Sequence, residues 1–258
     1  MRLTFYAMRA AFRQECRFLF PKDLIFGLVA AVGPAIITAW IIRTSDDPAA
    51  AGYLLIGAPL YAVWAQGVSR VAGSLQGEAE DGCLEPMLTT RNPLFLTMLA
   101  KAAAVSFVAL LPGALVLGVL ITSSPELTMH GSPLLILPSA LLAVVALVVT
   151  ALSFQPLTFL AGGRPNAVTA IMPVGAVLAG FLYPTSLLPG ALEAAAHLLP
   201  IAWAMEALAA ATRGEGLDAV GPRWLEAMAA SAIVLAATSL AFGRAERVLR
   251  RSGVLGRF

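Results

Sequence analysis

The chain has 258 residues, of which 59% are hydrophobic and 12% are charged, and its mean hydropathy is +0.83. Soluble domains carry about a quarter charged residues, so this composition excludes an ordinary soluble domain and indicates a membrane protein. The formal net charge of +2 is too small to indicate a nucleic-acid partner.

The N-terminal segment, residues 1–22, has the pattern of an amphipathic helix. Its apolar side chains recur at helical spacing and form one stripe, which consists of Phe5, Met8, Phe12, Cys16 and Leu19. Arginines follow beside this stripe at intervals of four residues. Such a helix can lie in the membrane interface with its arginines at lipid phosphates, or it can simply anchor the first span.

Six apolar, almost uncharged runs are long enough to cross a bilayer as helices of about 20 residues. They are Leu24–Ile42, Gly52–Ser69, Leu99–Thr122, Leu134–Ala161, Ala167–Leu188 and Leu225–Gly243. A further apolar stretch, Gly190–Thr212, is cut by Pro200 into pieces that are too short to cross. We therefore expect an all-α polytopic protein with one transmembrane domain over residues 1–258, six spans, and a re-entrant hairpin over residues 189–213 between the fifth and sixth spans.

Lysine and arginine are distributed unequally between the connections. With both termini in the cytoplasm, 14 of the 17 basic residues fall inside, and only Arg43, Arg213 and Arg223 fall outside. The positive-inside rule therefore predicts cytoplasmic termini, a cytoplasmic loop over residues 74–92 and a basic cytoplasmic tail over residues 244–258.

Motifs for catalysis and nucleotide binding are absent from the sequence. It has no GxxxxGK[ST] loop to hold nucleotide phosphates and no GxSxG nucleophile turn. Both histidines, His130 and His197, fall in segments predicted to be external. His197 follows Glu193 by four residues, which favours a solvated pair over a metal site because a third ligand is missing. We expect no catalytic residue and no metal site in this chain.

Ionisable residues are nearly absent from the six predicted spans. Lys101 lies near the inner end of the third span, and Glu226 lies at the outer end of the sixth. Ion-coupled carriers usually bind their ion through ionisable groups near the bilayer midplane, so this pattern argues against a secondary transporter. The internal polar residues Gln66 and Gln155 either hydrogen-bond across helices or line a substrate path.

The stretch GEAEDGCLEPMLTTRNP, residues 77–93, is a hydrophilic loop between the second and third spans. Leu84, Met87 and Leu88 have the spacing of one face of a short helix. Asn92 followed by Pro93 predicts the start of the next helix, which would run to about Ile121. The loop is either a solvated connection or a short helix that receives a push from a soluble partner.

Part of this loop, EDGCLEPMLTT, resembles the E-x-G-T-L-E-x-L-L-x-T-P signature of type 2 ATP-binding cassette transporter permeases. The matching residues are Glu80, Gly82, Leu84, Glu85, Leu88 and Thr90. Cys83 replaces the usual threonine, and Arg91 replaces the usual proline. In that family the loop forms a coupling helix that sits in a cleft of the ATPase subunit. The resemblance implies that the ATPase-docking residues here are Glu80, Gly82, Leu84, Glu85, Met87 and Leu88.

Residues 181–216 are similar to the family's re-entrant hairpin, with its P-x-x-x-L-P and L-P-x-x-x-x-x-E-A-L elements. These elements correspond to Pro184, Leu188, Pro189, Leu199, Pro200, Glu206, Ala207 and Leu208. The resemblance implies an outer gate, for which simple apolar packing is the alternative role, at Leu188, Leu192, Leu199 and Trp203. Glu206 and Arg213, two turns apart, are expected to form a structural pair.

The family works with two permease subunits, identical or different, above two ATPase subunits. ATP and magnesium would be bound by the ATPase partner, so this chain would need no cofactor. The resemblance thus implies an exporter subunit of the bacterial plasma membrane, in contact with lipid and without a nucleic-acid partner. The almost uncharged spans favour a hydrophobic or amphipathic substrate, such as a drug, antibiotic, peptide or lipid-like molecule. Polysaccharide export, a non-transporting anchor or sensor for an ATPase, and an ATP-independent carrier are the alternatives.

Overall fold

The computed structural model describes residues 2–19, 22–44, 48–89, 92–123, 131–160 and 173–252. All regular structure within these ranges is helical. The helices are α1 (Arg2–Leu19), α2 (Lys22–Thr44), α3 (Pro48–Glu80), α4 (Leu84–Thr89), α5 (Leu94–Ser123), α6 (Pro133–Leu160), α7 (residues 173–179), α8 (Gly190–Ala196), α9 (Pro200–Thr212) and α10 (Leu217–Ser252). A short 3-10 turn, Thr185–Leu187, follows α7.

Five of the described helices, α2, α3, α5, α6 and α10, are long and apolar enough to cross a membrane. Helices α8 and α9 form a bent pair with an angle of 99° between them, and they would count as a sixth span if taken as one. The multi-span helical fold and a bent helix pair after α7 are therefore confirmed.

The predicted fifth span, Ala167–Leu188, differs from the structure at its end. Its first residues, 167–172, lie outside the described residues, and its helix ends at residue 179. Gly180 then adopts φ +70°, a left-handed conformation that suits glycine and ends a helix. The predicted boundary at Leu188 was wrong for the helix, because hydropathy does not register this turn.

Helices α3 and α10 exceed the apolar runs that predicted them by the largest margins. Helix α3 has 33 residues and α10 has 36 residues, which correspond to about 50 and 54 Å. The hydrocarbon core of a bilayer is about 30 Å thick, so both helices continue well beyond it. Hydropathy predicts only the apolar part of such a helix.

The bundle is built around α5 and α6. Helix α5 packs against α1, α2 and α3, while α6 packs against α3, α9 and α10. On α1, Leu19 is buried and Cys16 packs on the core, whereas Arg9, Arg13 and Arg17 are exposed. Helix α3 approaches the chain after α7 so closely that a Cβ at Gly57 would lie 1.7 Å from the Phe181 carbonyl oxygen.

The chain order gives the bundle two distinct ends. The α4 end contains α4, the C-terminus of α3 and the N-terminus of α5. The hairpin end contains residues 180–189, helices α8 and α9, and the N-terminus of α10. These two ends carry the polar groups described next.

Candidate functional site

The connection between α3 and α5, residues 77–93, is called the α4 segment. Helix α3 ends at Glu80, and the chain reverses through Gly82 at φ +70°. The Cys83 amide then donates to the Glu78 carbonyl oxygen at 2.8 Å. A glycine in the left-handed conformation with this hydrogen bond is a common way to end a helix and direct the chain into the next one.

Helix α4 has one buried face and one exposed face. Leu84 is 2% exposed and Leu88 is 6% exposed, and both belong to the main core cluster of the bundle. Met87 is partly buried and packs against the same cluster. The exposed residues of the segment include Glu80, Asp81, Gly82, Cys83, Pro86 and Thr89. The side chain of Glu85 lies outside the described residues.

This arrangement changes the surface that a partner would meet. The predicted apolar face of α4 exists, but Leu84 and Leu88 fill the chain's own core instead of pointing outwards. The outer surface is polar and acidic, with Glu80 held by a hydrogen bond of 2.7 Å from the Gln76 amide. ATPase docking through this segment stays a prediction, now centred on its exposed residues.

A buried ion cluster supports the base of the segment. Lys101 of α5 is 7% exposed, and its ammonium group contacts the Glu78 carboxylate of α3 and lies 3.4 Å from the Glu15 carboxylate of α1. These residues border an open recess of about 420 Å³. Sequence analysis placed Lys101 but not its partners, although a lysine in an apolar helix already signals that a buried cation needs carboxylates nearby.

The two internal glutamines occupy different environments. Gln155 of α6 is fully buried, and its amide donates to the Val71 carbonyl oxygen at 2.6 Å and to the Ser74 hydroxyl at 2.7 Å. It therefore links α6 to α3, the first of its two predicted roles. Gln66 lines a cavity of about 20 Å³, which has room for about one water molecule. A substrate path at either glutamine stays a prediction.

The four predicted gate residues divide into two pairs. Leu199 and Trp203 pack against the core cluster, whereas Leu192 is exposed and Leu188 is half-buried. The Trp203 indole donates to the His197 carbonyl oxygen at 2.8 Å, and its ring stacks on the imidazole at a centroid distance of 4.3 Å. Leu199 and Trp203 thus stabilise the bend between α8 and α9.

A polar cluster lies inside the bend. His197 Nε2 lies 2.9 Å from Glu206 Oε1, and the Thr185 hydroxyl donates to the same oxygen. The predicted side-chain pair of His197 with Glu193 was wrong, because the bend between α8 and α9 brings the Glu206 carboxylate to the imidazole instead.

The predicted pair of Glu206 with Arg213 was also wrong. Arg213 lies 2.6 Å from Glu215, and Arg223 of α10 lies 2.8 Å from the same carboxylate. Hydrogen bonds from Arg223 and then Arg213 hold the pKa of Glu215 below its ordinary value. Arg213 is the C-cap residue of α9, and its guanidinium group binds Glu215, two residues further along the chain.

These groups surround a cavity of about 230 Å³ at the hairpin end, called the hairpin recess. It is lined by Tyr53, Pro184, Thr185, Ser186, Glu193, His197, Glu206, Ala209, Arg213 and Arg223. Among the described residues, no three histidine, cysteine, aspartate or glutamate side chains converge on a point that could hold a metal ion.

Comparison with known protein families finds one family that covers most of the chain. A family model described as ABC-2 family transporter protein matches residues 29–243, which is well over half of the chain. The match extends from within α2 to within α10 and includes both the α4 segment and the hairpin. Comparison with curated proteins finds no match.

Proposed function

Because the chain belongs to the ABC-2 family of transporter membrane proteins, which are the permease part of such transporters, we propose that it is one half of an ATP-driven exporter. Two copies, or this chain and a different permease, would assemble over two ATPase subunits that bind ATP and magnesium. The observation that carries the proposal is the two-faced α4 segment, which is acidic outside and anchored in the core inside.

The exposed surface of this segment suits a soluble partner. Glu80 and Asp81 lie side by side on the turn that ends α3, and carboxylates at the rim of an interface attract basic groups and orient the encounter. We place this end of the bundle in the cytoplasm, because the basic residues of the sequence concentrate at the same end. A bacterial plasma membrane is the compartment that we propose.

The inner face of α4 supports transmission of movement into the membrane. Leu84 and Leu88 share one core cluster with Leu75 of α3 and with Leu94 and Met98 of α5. Close-packed clusters deform little, so a displacement of α4 would move the ends of α3 and α5 together. Both helices continue to the hairpin end, where Leu188 and Leu192 would form the movable part of the gate.

The energy that such a switch requires is moderate. Moving a two-state equilibrium from 1:99 to 99:1 takes about 5.5 kcal/mol, which ATP binding and hydrolysis can supply. The exposed helix faces are apolar, with large side chains such as Trp40, Leu137 and Leu225 at the surface. A hydrophobic or amphipathic molecule would partition to such a surface from the bilayer.

Co-expression with an ATPase that carries a GxxxxGK[ST] loop tests the docking. We expect Glu80→Arg and Asp81→Arg each to weaken association by about tenfold, equivalent to about 1.4 kcal/mol. Asp218→Arg, a charge reversal at an exposed site of the hairpin end, is the matched control and should leave association unchanged. Leu84→Asp is not a docking test, since it buries a carboxylate and should unfold the segment.

The outcomes separate the parts of the proposal. A wild-type preparation that binds no ATPase would refute the proposal that this chain is part of an exporter. Normal association of both arginine variants would remove docking from the α4 segment and leave family membership intact. ATP-dependent accumulation of a fluorescent amphiphile in inverted vesicles distinguishes an exporter from a membrane anchor, which would bind the ATPase without accumulation.

A further inference from the structure

The hairpin recess has the charge and shape of a binding site. Its walls come from five parts of the chain: α3, the segment after α7, α8, α9 and α10. We propose that it binds the ammonium group of an amphiphilic organic cation, with the carboxylates of Glu193 and Glu206 as acceptors.

Glu206 retains an acceptor for such a group. Its hydrogen bonds from Thr185 and His197 both end on Oε1. Within the described part of the chain, none of the hydrogen bonds to this carboxylate ends on Oε2. The bonds on Oε1 hold the carboxylate in place, while Oε2 remains available to a ligand in the recess.

The charges around the recess favour a cation. Glu215 binds the guanidinium groups of Arg213 and Arg223 through both of its carboxylate oxygens. Arg213 and Arg223 are thus already paired with a carboxylate. Glu193 and Glu206 add two further carboxylates to the recess, which the imidazole of His197 also lines. Counting Glu215, which lies behind the two lining arginines, three carboxylates face two guanidinium groups, and this excess of fixed negative charge attracts a positively charged group.

The geometry favours an organic ammonium group over a metal ion. No three metal-binding side chains converge in the structure described for residues 173–252 or in the rest of the described chain. An ammonium group carries three donors, which two carboxylates and a neighbouring carbonyl or hydroxyl oxygen can accept. The volume of about 230 Å³ lies below the 300 to 1,000 Å³, roughly, of pockets that enclose a drug-sized molecule. The recess therefore suits a head group.

Two exposed leucines that follow lining residues in the sequence suit the rest of an amphiphile. Leu187 follows the lining residue Ser186, and Leu198 follows the lining residue His197. Both leucines are 74% exposed. An alkyl chain attached to a bound ammonium group would leave the recess beside these leucines and remove apolar surface from water.

The ammonium group has two sources in a membrane. One is a transported molecule, and this assignment rests on the proposed export function. The other is the head group of phosphatidylethanolamine in the bilayer. Binding itself requires neither ATP nor the ATPase, so it can be measured on the permease chain alone.

The probe is octylammonium chloride, added to the full chain in neutral maltoside micelles. We expect a saturable rise of the unfolding midpoint with octylammonium, because a ligand that binds only the folded state stabilises it. Octanol and octanoate, which share the alkyl chain and differ in charge, should give no saturable rise. An equal response to octanol would show apolar partitioning and overturn the proposal.

Two variants locate the site. Glu193→Gln should raise the apparent Kd of octylammonium by about three- to tenfold, the range for losing a partly exposed ionic hydrogen bond. Glu206→Gln should do the same while keeping acceptors for Thr185 and His197. Asp218→Asn, an exposed carboxylate at the same end that does not line the recess, should leave Kd unchanged. An unchanged Kd in Glu193→Gln and Glu206→Gln would also overturn the proposal.

Nanodiscs distinguish the two sources. The titration is repeated in phosphatidylglycerol nanodiscs with and without phosphatidylethanolamine. No competition by phosphatidylethanolamine supports a transported cation, whereas a clear increase of the apparent Kd assigns the recess to lipid and overturns the transport assignment. The ATPase association test does not depend on ligand binding to the recess. A negative result in one of the two experiments therefore leaves the other interpretable.

Discussion

Replacing Lys101 by methionine tests the ion cluster that holds the base of the α4 segment. The substitution keeps an unbranched side chain of similar length but removes the ammonium group between Glu78 and Glu15. Two mostly buried carboxylates from different helices would then face each other at the wall of the open recess. We expect the ends of α1 and α3 to separate from α5.

The magnitude follows from the burial of the three side chains. Removing one partner of a buried ion pair costs about 3 to 5 kcal/mol. The carboxylate side chains of Glu78 and Glu15 keep 18% and 16% of their surface exposed, so hydration offsets part of this cost. We therefore expect Lys101→Met to lower the free energy of unfolding by about 2 to 3 kcal/mol.

The assay is unfolding by sodium dodecyl sulfate in maltoside micelles, followed by tryptophan fluorescence. Adding Glu78→Gln to Lys101→Met removes one of the two facing carboxylates and should restore about half of the loss. Arg13→Met, at an exposed site of α1, is the control and should change stability by less than about 0.5 kcal/mol. A Lys101→Met variant as stable as this control, or a double variant without recovery, would refute the reasoning.

Two further changes test the hairpin end. Hydrogen bonds from Arg223 and Arg213 hold the pKa of Glu215 below its ordinary value of 4.5. Its charge therefore stabilises the fold above the unfolded-state pKa, and this stabilisation is lost as the pH falls through the lower folded-state pKa. The stability difference between wild type and Glu215→Gln, about 0.5 to 1 kcal/mol at neutral pH, should shrink in acid; a constant difference down to about pH 3 would contradict this. Gly57→Ala would place a Cβ against the Phe181 carbonyl and should cost about 1 to 3 kcal/mol. Gly52→Ala has open space in the same helix and should stabilise by up to about 1 kcal/mol; equal effects of the two alanines would exclude the close approach.

The parts of the fold with local signals were predictable. The predicted helix start at Pro93 is within one residue of Leu94, the first residue of α5, because proline and its preceding Asn92 mark a helix start without reference to the rest of the chain. The extension of α3 to Glu80 was not predicted, since Arg70 interrupts the apolar run while leaving the helix unbroken. Hydropathy measures transfer to a membrane, and helices continue beyond the membrane.

The arrangement of the site depended on contacts between distant residues. Spacing predicted an apolar face on α4, but it could not show that Leu84 and Leu88 would fill the chain's own core. The spacing of Glu193 and His197 suggested a pair along one helix, whereas a 99° bend after α8 brings Glu206 to the imidazole. Periodicity assigns residues to a face, and only the packed structure shows what that face contacts.

The buried and the exposed sides of the α4 segment differ in their tolerance to substitution. Leu84 and Leu88 belong to the core of the bundle, so a change there alters the fold itself, whereas Asp81 and Pro86 are exposed and can change with little effect on it. If the segment is the ATPase-docking surface that we propose, its exposed positions can change without affecting the stability of the bundle each time. Under that proposal, partner choice and folding would be separable traits of this chain.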